Sequence, residues 1–217
     1  MSDLVLVIGN KAYSSWSLRP WLALKQAGIP FEEVVIPLRQ PETKAEILAH
    51  SPAGKVPVLR HGELVLWESL AICEYVADLF PDAGLLPDDR EARAVCRAVS
   101  SEMHAGFPDL RRNMPMDLKR SLPGRGHVPA ALADAQRVQQ LWRDARALYG
   151  AGGPFLFGRF SIADAMFAPV CTRFDTYGVE LDPVSRAYVE VVLGLPAMRA
   201  WIEDARAEPW TIAHDVP

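Results

Sequence analysis

Three serines near the amino terminus have the types and spacing to hold an anion. They lie within KAYSSWSLRPW (residues 11–21). The apolar run Leu4–Ile8 before them predicts a buried strand, and the pattern after them predicts a helix with Pro20 near its start. Backbone N–H groups point out of a helix start, where the dipole favours negative charge. The serines could instead form a helix cap and a turn, because serine is common at both. The residues concerned are Ser14, Ser15 and Ser17.

A second candidate anion site lies at Glu68 and Ser69. The hydrophobic pattern of Leu70–Phe80 predicts a helix that Pro81 stops, and Ser69 is a plausible N-cap. An α-amino acid end group carries both charges. Its carboxylate would suit Ser69 and the helix amides, and its ammonium would suit Glu68. A capped helix beside a solvated glutamate is the alternative interpretation.

The elements that must position these two sites alternate between strand and helix. Glu32–Ile36 predicts a second strand, parallel to the first if the helix between them is a crossover. Thr43–His50 predicts a short helix. Val56–Leu59 and Glu63–Trp67 predict the two strands of a hairpin. The first part of the chain is therefore predicted as β-α-β-α-β-β-α.

After a turn-rich linker at residues 82–89, the composition shifts to helix formers. Ser161-x-x-Asp164 matches a capping box before an apolar run. The predicted helices are Arg90–Arg120 (one long helix or a broken pair), Val128–Tyr149, a helix opened by Ser161, and Leu195–Ala207. The second part of the chain is therefore predicted to be all-helical.

Composition excludes several classes of protein. Half of the 217 residues are apolar, so the chain can bury a large core, and a net charge of −4 without a basic tract argues against a nucleic-acid surface. We expect no membrane span, because no apolar run approaches the required length, and no signal peptide, because the first ten residues carry Asp3 and no positive charge. Cys73, Cys96 and Cys171 are far apart, which predicts buried thiols in a reducing cytoplasm and neither disulfides nor a zinc site.

Five short motifs, in this order and spacing, resemble the glutathione S-transferase family over essentially the full chain. They are Ser14-Ser15-Trp16-Ser17-x-Arg19, Val56-Pro57, Glu68-Ser69-x-Ala71-Ile72, Leu85-Leu86-Pro87 and Ser161-Ile162-Ala163-Asp164. The serine pattern is most similar to the zeta class, whose motif is S-S-C-S-x-R. Trp16 stands where that class has cysteine, and Glu68 stands where family members usually have glutamine.

The resemblance implies an α/β domain followed by an all-α domain. Residues 1–81 would form a thioredoxin-like, glutathione-binding domain, residues 82–89 a linker, and residues 90–217 a helical bundle that contributes the electrophile pocket. It further implies glutathione as co-substrate, no metal, a small electrophile as partner, a homodimer, a cytoplasmic location, and no nucleic-acid or membrane partner.

The family's residue roles carry over by position. Ser14 would donate a hydrogen bond to the glutathione sulfur and favour the thiolate, with Ser15 close enough to share or replace that role. Asp164 would be a folding element rather than a catalyst. The residues expected to bind the rest of glutathione are Lys55, Val56, a cis Pro57, Glu68 and Ser69.

The second-substrate pocket would be lined by residues around the first helix of the second part. For several of them, core packing or solvated surface is an equally good interpretation. Arg173 occupies a position that resembles a zeta-class arginine facing acidic substrates. The expected residues are Trp16, Met103, His104, Phe107, Arg111 and Arg173.

Three functions remain open at this stage. The main hypothesis is a glutathione transferase that adds the thiolate to small electrophiles. The alternatives are a zeta-like maleylacetoacetate cis–trans isomerase and a non-catalytic binding module on the same fold. Intact serines at 14 and 15 favour an enzyme. The bulk of Trp16 favours conjugation over isomerisation, and the lack of a cysteine near Ser14 argues against a thiol-transferring reductase.

Overall fold

The computed structural model describes residues 3–213 and 216–217. Met1 and Ser2 of the expected first domain, and His214 and Asp215 of the expected second, lie outside the described residues. The first part of the chain contains β1 (Leu4–Gly9), α1 (Ser15–Gln26), β2 (Glu32–Ile36), α2 (Thr43–His50), β3 (Val58–His61), β4 (Leu64–Trp67) and α3 (Ser69–Leu79). The second part contains α4 (Arg90–Ala105), α5 (Pro108–Asn113), α6 (Pro129–Tyr149), α7 (Ile162–Tyr177), α8 (Pro183–Gly194) and α9 (Pro196–Ala207).

The strands of the described chain form a four-stranded mixed sheet in the order β2-β1-β3-β4. β1 runs parallel to β2, with Ile8 opposite Val35, and antiparallel to β3, with Val7 opposite Val58. The central strand β1 is almost wholly buried, since helices cover both of its faces. This is the predicted thioredoxin-like arrangement, and the fold class is confirmed.

Helix α1 places the serine motif at the edge of the core. Its apolar residues are buried against α3 and α7. The sequence predicted Pro20 near the helix start, but α1 begins at Ser15, so this was wrong and Pro20 lies inside the helix. Proline has no N–H, so the carbonyl of Trp16 lacks its usual helical donor. The motif therefore forms the first turn of α1.

Helix α7 is the buried centre of the helical part, and it contacts α1, α4 and α8. The predicted capping box opens it: the Asp164 carboxylate accepts from the Ser161 N–H at 2.8 Å and from its hydroxyl at 2.9 Å. Burial raises the pKa of Asp164 to about 6, although hydrogen bonds from Leu156, Ser161 and Tyr188 oppose the shift. Asp164 thus fixes the start of α7, as predicted.

Arg90–Arg120 was predicted as one long helix or a broken pair, and the structure has the broken pair: α4 ends at Ala105, Gly106 is its extended C-cap, and α5 begins at Pro108. Residues 114–120 lie outside both helices. β3 begins at Val58 rather than Val56, and Pro57 has no amide to donate. Helix α8 was not predicted at all, although Asp182 followed by Pro183 is a typical N-terminal signal.

None of the helices in residues 3–213 and 216–217 combines the length and the apolar character needed to cross a membrane.

Candidate functional site

A cavity of about 270 Å³ opens where α1, the loop before β3 and the β4–α3 junction meet. It brings together every residue expected to bind glutathione, along with Trp16, Ala53 and Trp67 on its walls. The lining residues are Trp16, Ala53, Lys55, Val56, Pro57, Trp67, Glu68 and Ser69. A larger cavity of about 400 Å³ lies between the linker and the end of α6, away from both helix starts.

The start of α3 places two polar side chains on the cavity wall. Glu68 is the N-cap residue of α3 with φ +71°, a backbone conformation that is strained for an L-residue. Its carboxylate is about half exposed. Ser69 is buried at 1% exposure, and among the described residues its Oγ has no hydrogen-bond partner. A buried hydroxyl without a partner is costly, so this oxygen is suited to a ligand.

The Val56–Pro57 peptide is cis, and it turns the chain into β3 beside the cavity. No backbone hydrogen bond joins Val56 to another described residue. Its N–H and C=O are therefore available to an extended peptide-like ligand. Lys55, one residue earlier, adds a cation to the same wall.

The start of α1 is different, because its hydroxyls already have partners. Ser14 is 5% exposed, and its Oγ donates to Ser17 Oγ at 2.7 Å. Ser17 Oγ in turn accepts from the Gly9 N–H at 3.1 Å. Hydroxyl protons rotate freely, so this chain can also run from Gly9 through Ser17 to Ser14 and leave the Ser14 proton for an acceptor.

Ser15 is held by a buried cation from the second part of the chain. Arg173 of α7 donates from Nη2 to Ser15 Oγ at 3.2 Å, and it is anchored by the carbonyls of Met114 and Pro169. Burial, and then the charge of Arg111, lowers the pKa of Arg173 to about 9, so it stays protonated at neutral pH. Because Ser15 accepts from this cation, its own proton remains free to be donated.

Two further arginines flank Trp16. The guanidinium carbons of Arg19 and Arg111 lie 4.2 and 4.7 Å from the Trp16 ring centroid. Arg19 is fully buried, and within the described residues neither of its terminal nitrogens has a hydrogen-bond partner; the same is true of Arg111 Nη1. Burial lowers the pKa of both side chains. The tryptophan thus covers a cluster of incompletely neutralised positive charge.

His104 of α4 joins the helical part to the cleft. Its Nε2 lies 3.5 Å from Glu68 Oε2, and its ring meets Trp16 edge-on at 5.2 Å. Burial and the charge of Arg19 lower the pKa of His104, while Glu68 opposes the shift. The neighbouring candidates face inward: Met103 is fully buried and Phe107 is 5% exposed, both in the main core cluster.

Sequence reasoning missed three contributors to this region. Arg19 appeared in the motif without a role, yet its guanidinium lies against the Trp16 ring. Ala53 and Trp67 line the cavity. Their closeness in sequence to Lys55 and Glu68 was the signal that could have found them. Within the described residues, no three His, Cys, Asp or Glu side chains are grouped to hold a metal ion.

The sequence and the structure are similar to those of known proteins. Residues 13–79 match the family model for the glutathione S-transferase N-terminal domain, and residues 125–204 match the model for the C-terminal domain. A probable maleylacetoacetate isomerase from Caenorhabditis elegans is 38% identical over 78% of each chain. Glutathione S-transferase L1 from Arabidopsis thaliana is 27% identical over 85% of this chain and 71% of its own.

A solved glutathione transferase homologue from a Burkholderia strain, with glutathione bound, superimposes with a TM-score of 0.69 at 26% identity. The superposition covers 94% of this chain and 98% of the other. The two family models follow each other in the order of the sheet and the helical part described above. On these grounds the chain belongs to the glutathione S-transferase family.

Proposed function

We propose that this protein is a glutathione transferase that binds glutathione in the 270 Å³ cavity. The observation that carries the proposal is the start of α3, where a buried, unpartnered Ser69 hydroxyl adjoins the Glu68 carboxylate. The bound glutathione of the Burkholderia homologue supports it. We further propose the domain limits 1–81 and 90–217, with 82–89 as the linker.

The cavity's polar groups fit the ends of glutathione. The α-carboxylate of its glutamyl end would accept from Ser69 Oγ and the first amides of α3, and the α-ammonium would pair with Glu68. The unpaired backbone of Val56, held by Pro57, would bond the cysteinyl backbone, and Lys55 would face a carboxylate. These residues bind and orient the tripeptide, which leaves its sulfur to the start of α1.

At that helix start, Ser14 is proposed to donate to the sulfur and Ser15 to assist. A hydrogen bond to the charged form favours thiolate over thiol and lowers a thiol pKa that is ordinarily about 8.5. The Gly9–Ser17–Ser14 chain can supply Ser14 with a free proton, and Arg173 polarises Ser15. The positive end of α1 adds to the same effect. The thiolate would then add to a small electrophile.

A zeta-like isomerase for acidic substrates is the second candidate function. It is favoured by the contact of Arg173 with Ser15 and by the similarity to the probable maleylacetoacetate isomerase from C. elegans. The bulk of Trp16 still ranks conjugation first, because an indole leaves less room beside the sulfur than a cysteine does. Turnover of maleylacetone well above that of chloronitrobenzene would reverse the ranking.

We also propose a homodimer in a reducing, cytoplasmic compartment. Apolar side chains on β4 and at the end of α3 remain exposed: Leu64 43%, Trp67 44% and Leu79 36%. The three cysteines are all buried free thiols, which supports a reducing environment. Sedimentation equilibrium is the test of the dimer, and a monomer alone at micromolar protein would contradict it.

Calorimetric titration with glutathione tests the main proposal. We expect saturable binding by the wild type and weaker binding by Ser69→Ala, which loses the free hydroxyl. Ser185→Ala, far from the cavity on α8, is the matched control and should bind as the wild type does. Absence of binding at millimolar glutathione would favour a non-catalytic module on this fold.

A further inference from the structure

The loop before α1, which leads into the serine motif, is bound by residues near the carboxyl-terminal end of the chain. We define the serine loop as Asn10–Ser14, between β1 and α1. The Glu208 carboxylate, one residue beyond α9, accepts from the Lys11 N–H at 2.7 Å and from the Ala12 N–H at 3.2 Å. Two consecutive loop amides are therefore bound by one carboxylate.

One face of α9 also contacts the serine loop. Trp201 donates from its indole nitrogen to the Lys11 carbonyl at 2.9 Å, and Asp204 pairs with Lys11 Nζ at 2.7 Å. Spacings of three and four residues place these two side chains and Glu208 on a single helix face. The loop is thus held through its N–H groups, a carbonyl and a side chain at once.

Lys11 ties the same contact to the sheet. Its Nζ also pairs with Glu33 of β2 at 2.7 Å, and it lies near the rings of Trp21 and Trp201. Burial alone would lower the pKa of Lys11, but the hydrogen bonds to Asp204 and Glu33 outweigh it and raise the pKa. The cation is therefore firmly paired at neutral pH.

Glu208 is itself fixed. Lys119, in the loop after α5, donates to the Glu208 carbonyl and to the Trp210 carbonyl. Nearby, the Leu118 N–H donates to the Ala12 carbonyl at 3.2 Å. From Ala12 the serine loop continues directly to Ser14, whose N–H is held by the Asn10 carbonyl at 2.8 Å. A shift at Ala12 would therefore be passed to both serines.

We infer that Glu208 is a positioning residue, which sets where the Ser14 and Ser15 hydroxyls stand relative to the glutathione sulfur. This inference rests on the proposed function for its effect on the thiol, but its effect on the loop is independent of glutathione. Glu208 acts through the backbone of Lys11 and Ala12, and none of the described residues that hydrogen-bond with it lines the cavity. Its loss should therefore alter thiol ionisation more than glutathione affinity.

The variants for the test are Glu208→Ala, Glu208→Gln and Asp182→Ala. Asp182 is the matched control, because its carboxylate also accepts two backbone amides, those of Val184 and Ser185, but on α8 and away from the serine loop. Two measurements are made on each full-length variant. Hydrogen exchange of the loop amides is followed in the free protein. The pH dependence of kcat/KM for the electrophile, at saturating glutathione, reports the pKa of the bound thiol.

Glu208→Ala should speed exchange at Lys11 and Ala12 by about 10-fold or more, since each amide loses a charged acceptor. The thiol pKa should rise and kcat should fall, with little change in glutathione affinity. Glu208→Gln should be intermediate, because its single carbonyl oxygen can still accept while its NH₂ cannot. If Glu208→Ala does not fold, the comparison is made on Glu208→Gln.

Two outcomes would overturn the inference. One is a Glu208 variant whose loop exchange matches that of Asp182→Ala. The other is faster loop exchange with an unchanged thiol pKa, which would mean that the positions of the serines do not depend on the contacts of Glu208 with the loop. Failure of the proposed function looks different: the wild type itself would bind no glutathione, whatever the loop exchange shows.

Discussion

The starts of α1 and α3 in the candidate site both carry serine, but they differ in whether the serine hydroxyls have hydrogen-bond partners. Both present serine at the first turn, but the hydroxyls at α1 are already bonded, Ser14 to Ser17 and Ser15 to Arg173. At α3 the Ser69 hydroxyl has no partner among the described residues, and Glu68 stands half exposed. The hydroxyls at the start of α1 are therefore already fixed by hydrogen bonds, whereas the hydroxyl at the start of α3 is still unpartnered.

This difference separates two tasks that a single serine pattern cannot distinguish. A group that binds a flexible ligand end needs free donors, and the start of α3 supplies them. A group that stabilises a developing charge needs donors fixed in advance, so that no reorganisation is required when the charge forms. We therefore expect substitutions at α1 to change rate and those at α3 to change affinity.

The largest expected effect is that of Ser14→Ala. Hydrogen bonds to a charged acceptor are worth about 1.5–3 kcal/mol, so its loss should lower kcat/KM roughly 10- to 100-fold. The apparent pKa of the bound thiol should rise, because the thiolate loses a donor. The measurement is the pH dependence of kcat/KM.

Ser15→Ala is the matched variant for that experiment. A shift in Ser15→Ala with none in Ser14→Ala would move the assignment by one residue. No shift in either variant would mean that backbone amides and the dipole of α1 hold the thiolate instead.

Glu68→Gln should act on affinity instead of rate. It keeps the shape of the side chain but removes the negative charge proposed to face the glutathione ammonium, and charge-assisted hydrogen bonds are about twice as strong as neutral ones. We expect Kd to rise about 10-fold with kcat nearly unchanged. Calorimetry and saturation kinetics measure the two, and an equal loss of kcat would break the contrast between the helix starts.

Glu68→Gly should improve stability while it harms binding. Residue 68 has φ +71°, which glycine adopts without the cost that it imposes on glutamate. After allowance for the greater freedom of glycine in the unfolded chain, we expect a gain of about 1 kcal/mol in the free energy of unfolding. Denaturant titration tests this, with Glu68→Ala as the control that loses the carboxylate but keeps the strain. Equal stability of the two variants would contradict it.

The smallest expected effect is a pH dependence at His104. Burial and Arg19 hold its folded pKa below the ordinary value of 6.5, with Arg111 adding to the shift and Glu68 opposing it. As the pH falls below 6.5, the unfolded chain takes up the proton before the folded protein does. The contribution of His104 to stability is therefore lost progressively as the pH falls from 6.5 to the lower folded pKa. Thermal melts between pH 7 and 5 should therefore decline less in His104→Gln, and parallel declines would refute the assignment.

Much of the fold followed from local patterns. Apolar runs and turn residues located β1, β2 and α2, and Ser161 with Asp164 located the start of α7. For Arg90–Arg120 the sequence allowed one helix or a broken pair, and the structure has the pair, with Gly106 as the extended C-cap of α4. Helix α8 was overlooked although Asp182-Pro183 announces it, so that miss lay in the interpretation and not in the sequence.

The candidate site was less accessible to sequence reasoning. Residue types at positions 68 and 69 suggested a zwitterion site, and the structure adds that Ser69 Oγ is unpartnered. The state of Ser15 depends on Arg173, 158 residues away, and no local pattern carries that information. The same holds for Glu208 and the serine loop, which only tertiary packing brings together. The roles assigned to individual residues remain predictions until the variants are measured.

Trp16, which replaces a small residue in the serine motif, also gives the cleft an intrinsic fluorophore. Trp16 lies against two guanidinium groups and an imidazole, while Trp67, which also lines the cavity, is 44% exposed to solvent. Indole emission responds to nearby charge and to solvent, so the two fluorophores would report different events. A ligand that disturbs the arginines would change the first, and one that only excludes water would change the second. Occupancy of the cleft could thus be followed in the unlabelled protein.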